Sequence, residues 1–131
     1  MEPIRQTEAR LLRVQDELIQ REPIFHHPEL GTSREAYEAA TDEGFWEVGA
    51  SGRRYSRSYV IEILLDRYSK PYEDEWTTQD FYCQELAANL YLLTYTLNQG
   101  SRVTRRATIW RWLDDEWKIV FHQGTMVEAT A

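Results

Sequence analysis

The chain has 131 residues, 42% of them hydrophobic and 13% aromatic, and a formal net charge of −7. That length suits one domain over residues 1–131 with one sizeable core, and the apolar content excludes a disordered chain. The acidic balance argues against a protein that displaces counterions from nucleic acid or sits on an anionic membrane, and no apolar run is long enough to span a bilayer.

The single cysteine, Cys83, has no partner for an internal disulfide, which suits a reducing compartment. The first residues, Met1-Glu2-Pro3-Ile4-Arg5, lead into a polar, charged run with no apolar segment of a secretory signal. The cytoplasm is therefore the expected location.

A first helix is predicted from about Gln6 to Arg21, with Ile4, Leu11, Leu12, Leu18 and Ile19 on one stripe and Pro23 as its stop. Pro23–Gly31 reads as a loop that packs Phe25 and either exposes His26 and His27 or forms a lid. Thr32 and Glu35 match a capping box for a short helix to about Thr41. Phe45–Val48 reads as a short strand ended by the Gly49–Gly52 turn, and Ser56 as the cap of a third helix through Tyr68. Its apolar positions Val60, Ile61, Leu64 and Leu65 have helical spacing.

The remainder reads as strands over Trp76–Leu86, Leu90–Asn98, Arg102–Leu113 and Trp117–Gln123, with turns at Gln99–Ser101 and Asp114–Glu116. Helices followed by consecutive hairpins predict an α+β fold, helices on one face of a curved, mixed but mainly antiparallel sheet.

Two helices, the segment Phe45-Trp46-Glu47-Val48-Gly49-Ala50-Ser51-Gly52-Arg53-Arg54-Tyr55-Ser56, a third helix, and strands ending Trp117-Lys118-Ile119-Val120-Phe121-His122-Gln123-Gly124-Thr125 together resemble the small SnoaL-like domains of the nuclear-transport-factor-2-like superfamily. The resemblance covers nearly the whole chain. It implies a cone closed by the helices, with alternate sheet residues pointing inward, and a homodimer through the outer sheet face. It does not carry ketosteroid isomerase chemistry with it. The first helix has no tyrosine for the oxyanion donor, Val48 stands where the isomerase has its Asp base, and Thr108 stands at its second Asp. Glu47 lies one residue from the base position. Strand side chains alternate faces, so the register decides whether Glu47 enters the cone.

The resemblance puts the His122 side of the last strand, with Val120 and Gly124, in the cone, opposite to Trp117, Ile119 and Phe121. The expected ligand-binding wall is Trp46, Val48, Leu92, Thr94, Arg106, Thr108, Trp110 and His122, a mixture of apolar and sparse polar groups typical of small-molecule pockets. Imidazole exchanges protons near neutral pH, which makes His122 a candidate acid or base, with Glu47 to orient it or act as the base itself. A buried structural histidine and a solvent-facing Glu47 are the plain alternative. If Leu92, Thr94 and Thr96 face inward, Tyr91, Leu93, Tyr95 and Leu97 form an outer apolar stripe suited to a dimer.

His26, His27, His122 and Cys83 are too few and too scattered for a transition-metal site, and the chain carries no cofactor fingerprint, so neither metal nor cofactor is expected. Arg53, Arg54 and Arg57 read as solvated, while one of Arg105 and Arg106 must point inward. Three functional readings follow: a pocket protein for a small, partly apolar organic molecule; a cofactor-independent isomerase, cyclase or dehydratase using His122 with Glu47 or Arg106; and a protein-interaction module of immunity or scaffold type.

Overall fold

A computed structural model describes residues 1–128. A 3-10 turn, Ala9–Leu11, leads into helix α1 (Leu12–Ile19), and a second such turn, Pro28–Leu30, precedes α2 (Arg34–Ala40). Strands β1 (Thr41–Val48) and β2 (Arg54–Ser56), helix α3 (Arg57–Arg67), and strands β3 (Thr77–Ala87), β4 (Leu90–Gln99), β5 (Arg102–Leu113) and β6 (Glu116–Met126) complete the chain. The strands form one sheet in the order β2-β1-β6-β5-β4-β3, antiparallel except for the parallel pair β1–β6. The architecture is the α+β arrangement of three helices on a mixed sheet that the pattern predicts, with the short β2 as an extra strand.

The local chemistry explains the element ends. The Ser56 side chain accepts from the Tyr59 amide at 3.2 Å and caps α3. The cap of α2 is Ser33, accepting from Ala36 N at 3.1 Å, one residue beyond the predicted Thr32. Asp114 and Asp115 both have positive φ, 52° and 61°, the conformation of a two-residue hairpin whose twist matches its strands. The first helix is shorter than predicted: Ile4 is exposed ahead of the first helical turn, and Leu11 and Leu18 carry the buried stripe.

The core fills the space between the helices and the concave sheet face. Val60, Ile61 and Leu64 of α3 and Leu18 of α1 meet Cys83, Leu93, Tyr95, Leu97, Trp110, Trp117 and Ile119 of the sheet. Tyr91, Leu93, Tyr95 and Leu97 therefore face inward, which reverses the predicted sides of β4. The physical reason is burial: a stripe of Leu and Tyr gains far more from leaving water than one carrying two threonines. The apolar stripe is thus core, and the reason it offered for a dimer falls away.

The side assignment has a direct test. Leu93 is fully buried and Leu92 half-buried on the opposite face. Urea denaturation should show Leu93→Ala costing about 3 kcal/mol and Leu92→Ala costing under ~1 kcal/mol; equal costs would contradict the observed sides.

Candidate functional site

Strand register builds the interior. Cys83 pairs with Leu93, Leu93 with Thr108, Thr108 with His122, and His122 with Glu47. Directly paired residues share a face, so these five form one inward row across β3, β4, β5, β6 and β1. Tyr95, Arg106 and Gly124 form the next row by the same pairing. Glu47 therefore faces the interior beside His122.

A bulge makes this row possible. Ile109 pairs with Phe121 but Trp110 pairs with Ile119, so Val120 is an extra residue on β6. The extra residue restarts the alternation. Trp117 and Ile119 point inward before it, and His122 and Gly124 point inward after it. The strict alternation expected for β6 holds only beyond Val120.

The same registers correct half of the expected wall. Trp46 pairs with Phe121, its ring 4.7 Å from the Phe121 ring, and Val48 pairs with Gln123. Leu92 pairs with Ile109 and Thr94 with Ala107. Trp46, Val48, Leu92 and Thr94 thus lie on the outer face, away from the cone, because β1 and β4 each sit one residue out of the expected phase. Thr108 and Trp110 point inward and are buried, 0% and 2% exposed, and Trp110 borders a second cavity, of about 550 Å³, with Tyr37, Trp117 and Ile119.

A cavity of about 460 Å³ opens at the end of the cone away from the β5–β6 hairpin. Arg106, His122 and Glu47 line it together with His26, Tyr55, Tyr59, Arg67 and Arg102. Of the expected site residues, the fold brings together His122, Glu47 and Arg106. Tyr55 and Tyr59 stack at 5.3 Å with an interplanar angle of 9° and give one wall a flat aromatic surface.

The cavity is electrostatically unbalanced. Among the described residues, Arg67, Arg102 and Arg106 form no ion pair with a carboxylate. Arg67 donates to the Phe25 carbonyl at 3.4 Å and lies 5.2 Å from the Tyr72 ring centroid. Arg106 donates from Nε to Thr104 Oγ1 at 2.9 Å and from Nη1 to His122 Nε2 at 3.3 Å. Gly124, opposite Arg106, clears its path: a Cβ there would stand 3.2 Å from Arg106 Nε.

The titratable groups respond to this setting. Burial pushes His122 down to about 3, with the Arg106 charge acting in the same direction. Burial therefore favours the neutral imidazole, in which both ring nitrogens of His122 take part in hydrogen bonds. Burial raises the Glu47 carboxyl above its usual value, opposed by Arg106 and Arg67. Glu47 makes no hydrogen bond among the described residues, which leaves its oxygens open to the cavity. His26, hydrogen-bonded to Asp74, is lowered by burial. Its neighbour His27 instead bonds the Glu22 carbonyl at 2.7 Å. Both histidines hold the loop after α1 in place.

Behind the cavity lies Glu22, 1% exposed. Tyr95 Oη donates to it at 2.7 Å, Trp110 Nε1 at 3.0 Å and the Ile24 amide at 3.0 Å. Burial raises its pKa against these donors. The sequence reading missed Glu22, because a glutamate ahead of Pro23 at a helix end looks like any solvated acid. It also missed Arg67, whose place in the last turn of α3 reads as a favourable helix-end charge.

The depressed His122 value implies a pH dependence with a definite sign. The unfolded chain takes up a proton on His122 near the ordinary 6.5, while the fold keeps it neutral to about 3. The unfolded state binds more protons in that window, so stability falls as pH drops through it, by up to ~1.4 kcal/mol per pH unit from this group. Denaturation curves from about pH 4 to about pH 6.5 should be less pH-dependent in His122→Gln than in the wild type; identical slopes would show that His122 is not held neutral.

No family model matches the sequence, and no curated protein matches it. Solved structures do match. An NTF2-like protein from Cytophaga hutchinsonii aligns with TM-score 0.65 and 11% identity over 93% of this chain and 100% of that one. A candidate ketosteroid isomerase from Parabacteroides distasonis aligns with TM-score 0.67 and 15% identity over 95% and 96%. An uncharacterised cystatin-like-fold protein from Caulobacter vibrioides gives TM-score 0.69 and 12% identity over 92% of each chain. With helices closing a curved mixed sheet, and with these structures alike over almost their full lengths, the chain has the NTF2-like fold.

Proposed function

We propose that the chain is a single-domain cytoplasmic pocket protein that binds a small organic ligand with an anionic group, a carboxylate foremost, and an apolar or aromatic body. The observation that carries this reading is the convergence of Arg67, Arg102 and Arg106 on one cavity without carboxylate partners among the described residues. A partly buried guanidinium lacking a counter-charge is costly, and a bound anion offsets that cost. The Tyr55–Tyr59 stack suits the flat body of such a ligand. Neither metal nor cofactor enters this reading.

A second reading has its own support. Glu47 is a half-buried carboxylate without a hydrogen-bond partner among the described residues, raised by burial, in the same row as His122. Those are the properties of a general base. In a cofactor-independent isomerase, cyclase or dehydratase, Glu47 would take the proton, Arg106 would hold the developing anion, and neutral His122 would fix Arg106. The candidate ketosteroid isomerase among the similar structures is in keeping with this class.

We further propose a homodimer through the outer sheet face. Leu92, Ile109, Phe121 and Trp46 pair in turn across β4, β5, β6 and β1, an apolar row with Trp46 at 43% exposure. Such a row is a self-complementary surface for a two-fold contact. It replaces the β4 stripe as the support for a dimer. The same row is the surface that a protein-interaction module would offer a partner of another kind.

Two measurements test these readings. In an NMR titration benzoate should shift resonances of the cavity residues, and its neutral analogue benzamide should not. Arg106→Gln should weaken benzoate at least about tenfold, the loss of roughly one charge-assisted hydrogen bond, and Glu47→Gln should tighten it by removing a like charge. Equal binding of benzoate and benzamide would sink the anion reading. In light scattering after size exclusion, the wild type should run as a dimer and Trp46→Lys as a monomer; a monomeric wild type contradicts the sheet-face contact.

A further inference from the structure

Two cavities meet at the loop that follows α1. One is the arginine-lined cavity of about 460 Å³, and the other, of about 550 Å³, is bordered by α2 and the β5–β6 hairpin. Ile24 and Phe25 border both and therefore stand between them. The two differ in character. Arg67, Arg102 and Arg106 face the first. Trp110, Trp112 and Trp117 wall the second, with the Trp117 ring 6.5 Å from that of Trp110 and 5.0 Å from that of Trp112. Glu17, Asp115 and Glu116 outnumber Arg21 around it. A carboxylate is thus favoured in the first cavity and an apolar or aromatic body in the second.

Phe25 has an unusual backbone at this point. Its φ is 65°, in the left-handed region that bulky residues rarely enter. A residue stays there only where its surroundings fix it, and three sets of contacts do so. The ring packs edge-on against Tyr37 at 6.2 Å and Phe45 at 6.0 Å. The carbonyl accepts from Tyr68 Oη at 2.9 Å and from Arg67 Nη1 at 3.4 Å. The next two residues are tied as well, His26 to Asp74 and His27 to the Glu22 carbonyl. The Phe25 ring is a fixed piece of wall. Ile24 beside it belongs to the buried core, whereas Phe25 is half-buried and packs against that core. The partition can therefore be thinned at Phe25 without emptying the core.

We infer that Phe25 is a specificity-determining residue: its ring closes the arginine cavity off from the tryptophan-walled one, so that the protein selects ligands with a compact body and excludes those whose tail would have to enter the second cavity. The carboxylate head group of such a ligand rests on the proposed anion-binding function. The partition does not, and amide analogues separate the two.

The experiment is an NMR titration of the full chain, wild type and Phe25→Gly, with benzoate, biphenyl-4-carboxylate and their two amides, read at the indole N–H groups of Trp112 and Trp117. Glycine is the replacement because it accepts the positive φ and removes the ring. In the wild type neither carboxylate should move these indole signals. In Phe25→Gly the biphenyl compound should move them, and its affinity relative to benzoate should rise at least about tenfold through burial of the second ring. If Phe25→Gly fails to fold, Phe25→Asn, shorter than phenylalanine and tolerant of the left-handed conformation, decides. Biphenyl-4-carboxylate that already reaches the tryptophans in the wild type, or an affinity ratio unchanged in the variant, overturns the inference. Amides that bind as well as the acids, with the ratio still rising in the variant, support the partition and overturn the anion reading alone. Failure of all four compounds to bind either protein overturns both.

Discussion

The whole site depends on one extra residue in β6. Val120 interrupts the two-residue alternation between Ile119 and His122, so one strand buries Trp117 and Ile119 near the hairpin and His122 and Gly124 near the open end of the cone. Without that step, a strand with its apolar half inward would turn His122 outward, since a one-residue slip moves every side chain to the other face. The parallel pairing of β1 with β6 beyond the bulge then sets Glu47 beside His122, and the pairing with β5 sets Thr108 and Arg106 around it. Backbone pairing thus assembles groups drawn from three strands.

Electrostatics follows from that assembly. The chain is acidic overall, with a net charge of −7, yet its cavity gathers three guanidiniums and a carboxylate that none of them pairs. Burial pulls the ionisable groups toward their neutral forms: His122 is lowered and Glu47 and Glu22 are raised. The donors around Glu22, and the Arg106 and Arg67 charges near Glu47, resist that pull. A cone built only for packing would fill these positions with apolar side chains at lower cost. The polar groups that stand there instead, Arg106, His122 and Thr108 hydrogen-bonded in turn, set donors and acceptors beside the cavity at the open end of the cone.

Much of the fold was legible because it rests on local chemistry. The Ser56 cap, the Pro23 stop, the spacing of Val60, Ile61 and Leu64, and the aspartate hairpin all act within a few residues. β5 has the predicted bounds, Arg102–Leu113. The interior was less legible because it rests on register between distant strands. The inward parity of Leu93 and Tyr95 could have been taken from their apolarity alone; the superfamily analogy pointed the other way and was wrong there. The Val120 bulge carries no composition signal, as neither Gly nor Pro marks it. Glu22 gains its character from Tyr95 and Trp110, more than seventy residues away along the chain, and no short-range pattern announces such a partnership. His122 was visible as a candidate, but its neutrality depends on burial that only the fold supplies.

The central claim is that Glu47, His122 and Arg106 converge on one cavity that receives an anion. A crystal structure of the protein grown with benzoate tests it most directly. The account predicts the carboxylate within hydrogen-bonding distance of the Arg106 guanidinium, with His122 behind that guanidinium and Glu47 facing the same ligand. Benzoate bound elsewhere on the molecule, or Glu47 directed to the outer face of β1, would contradict it.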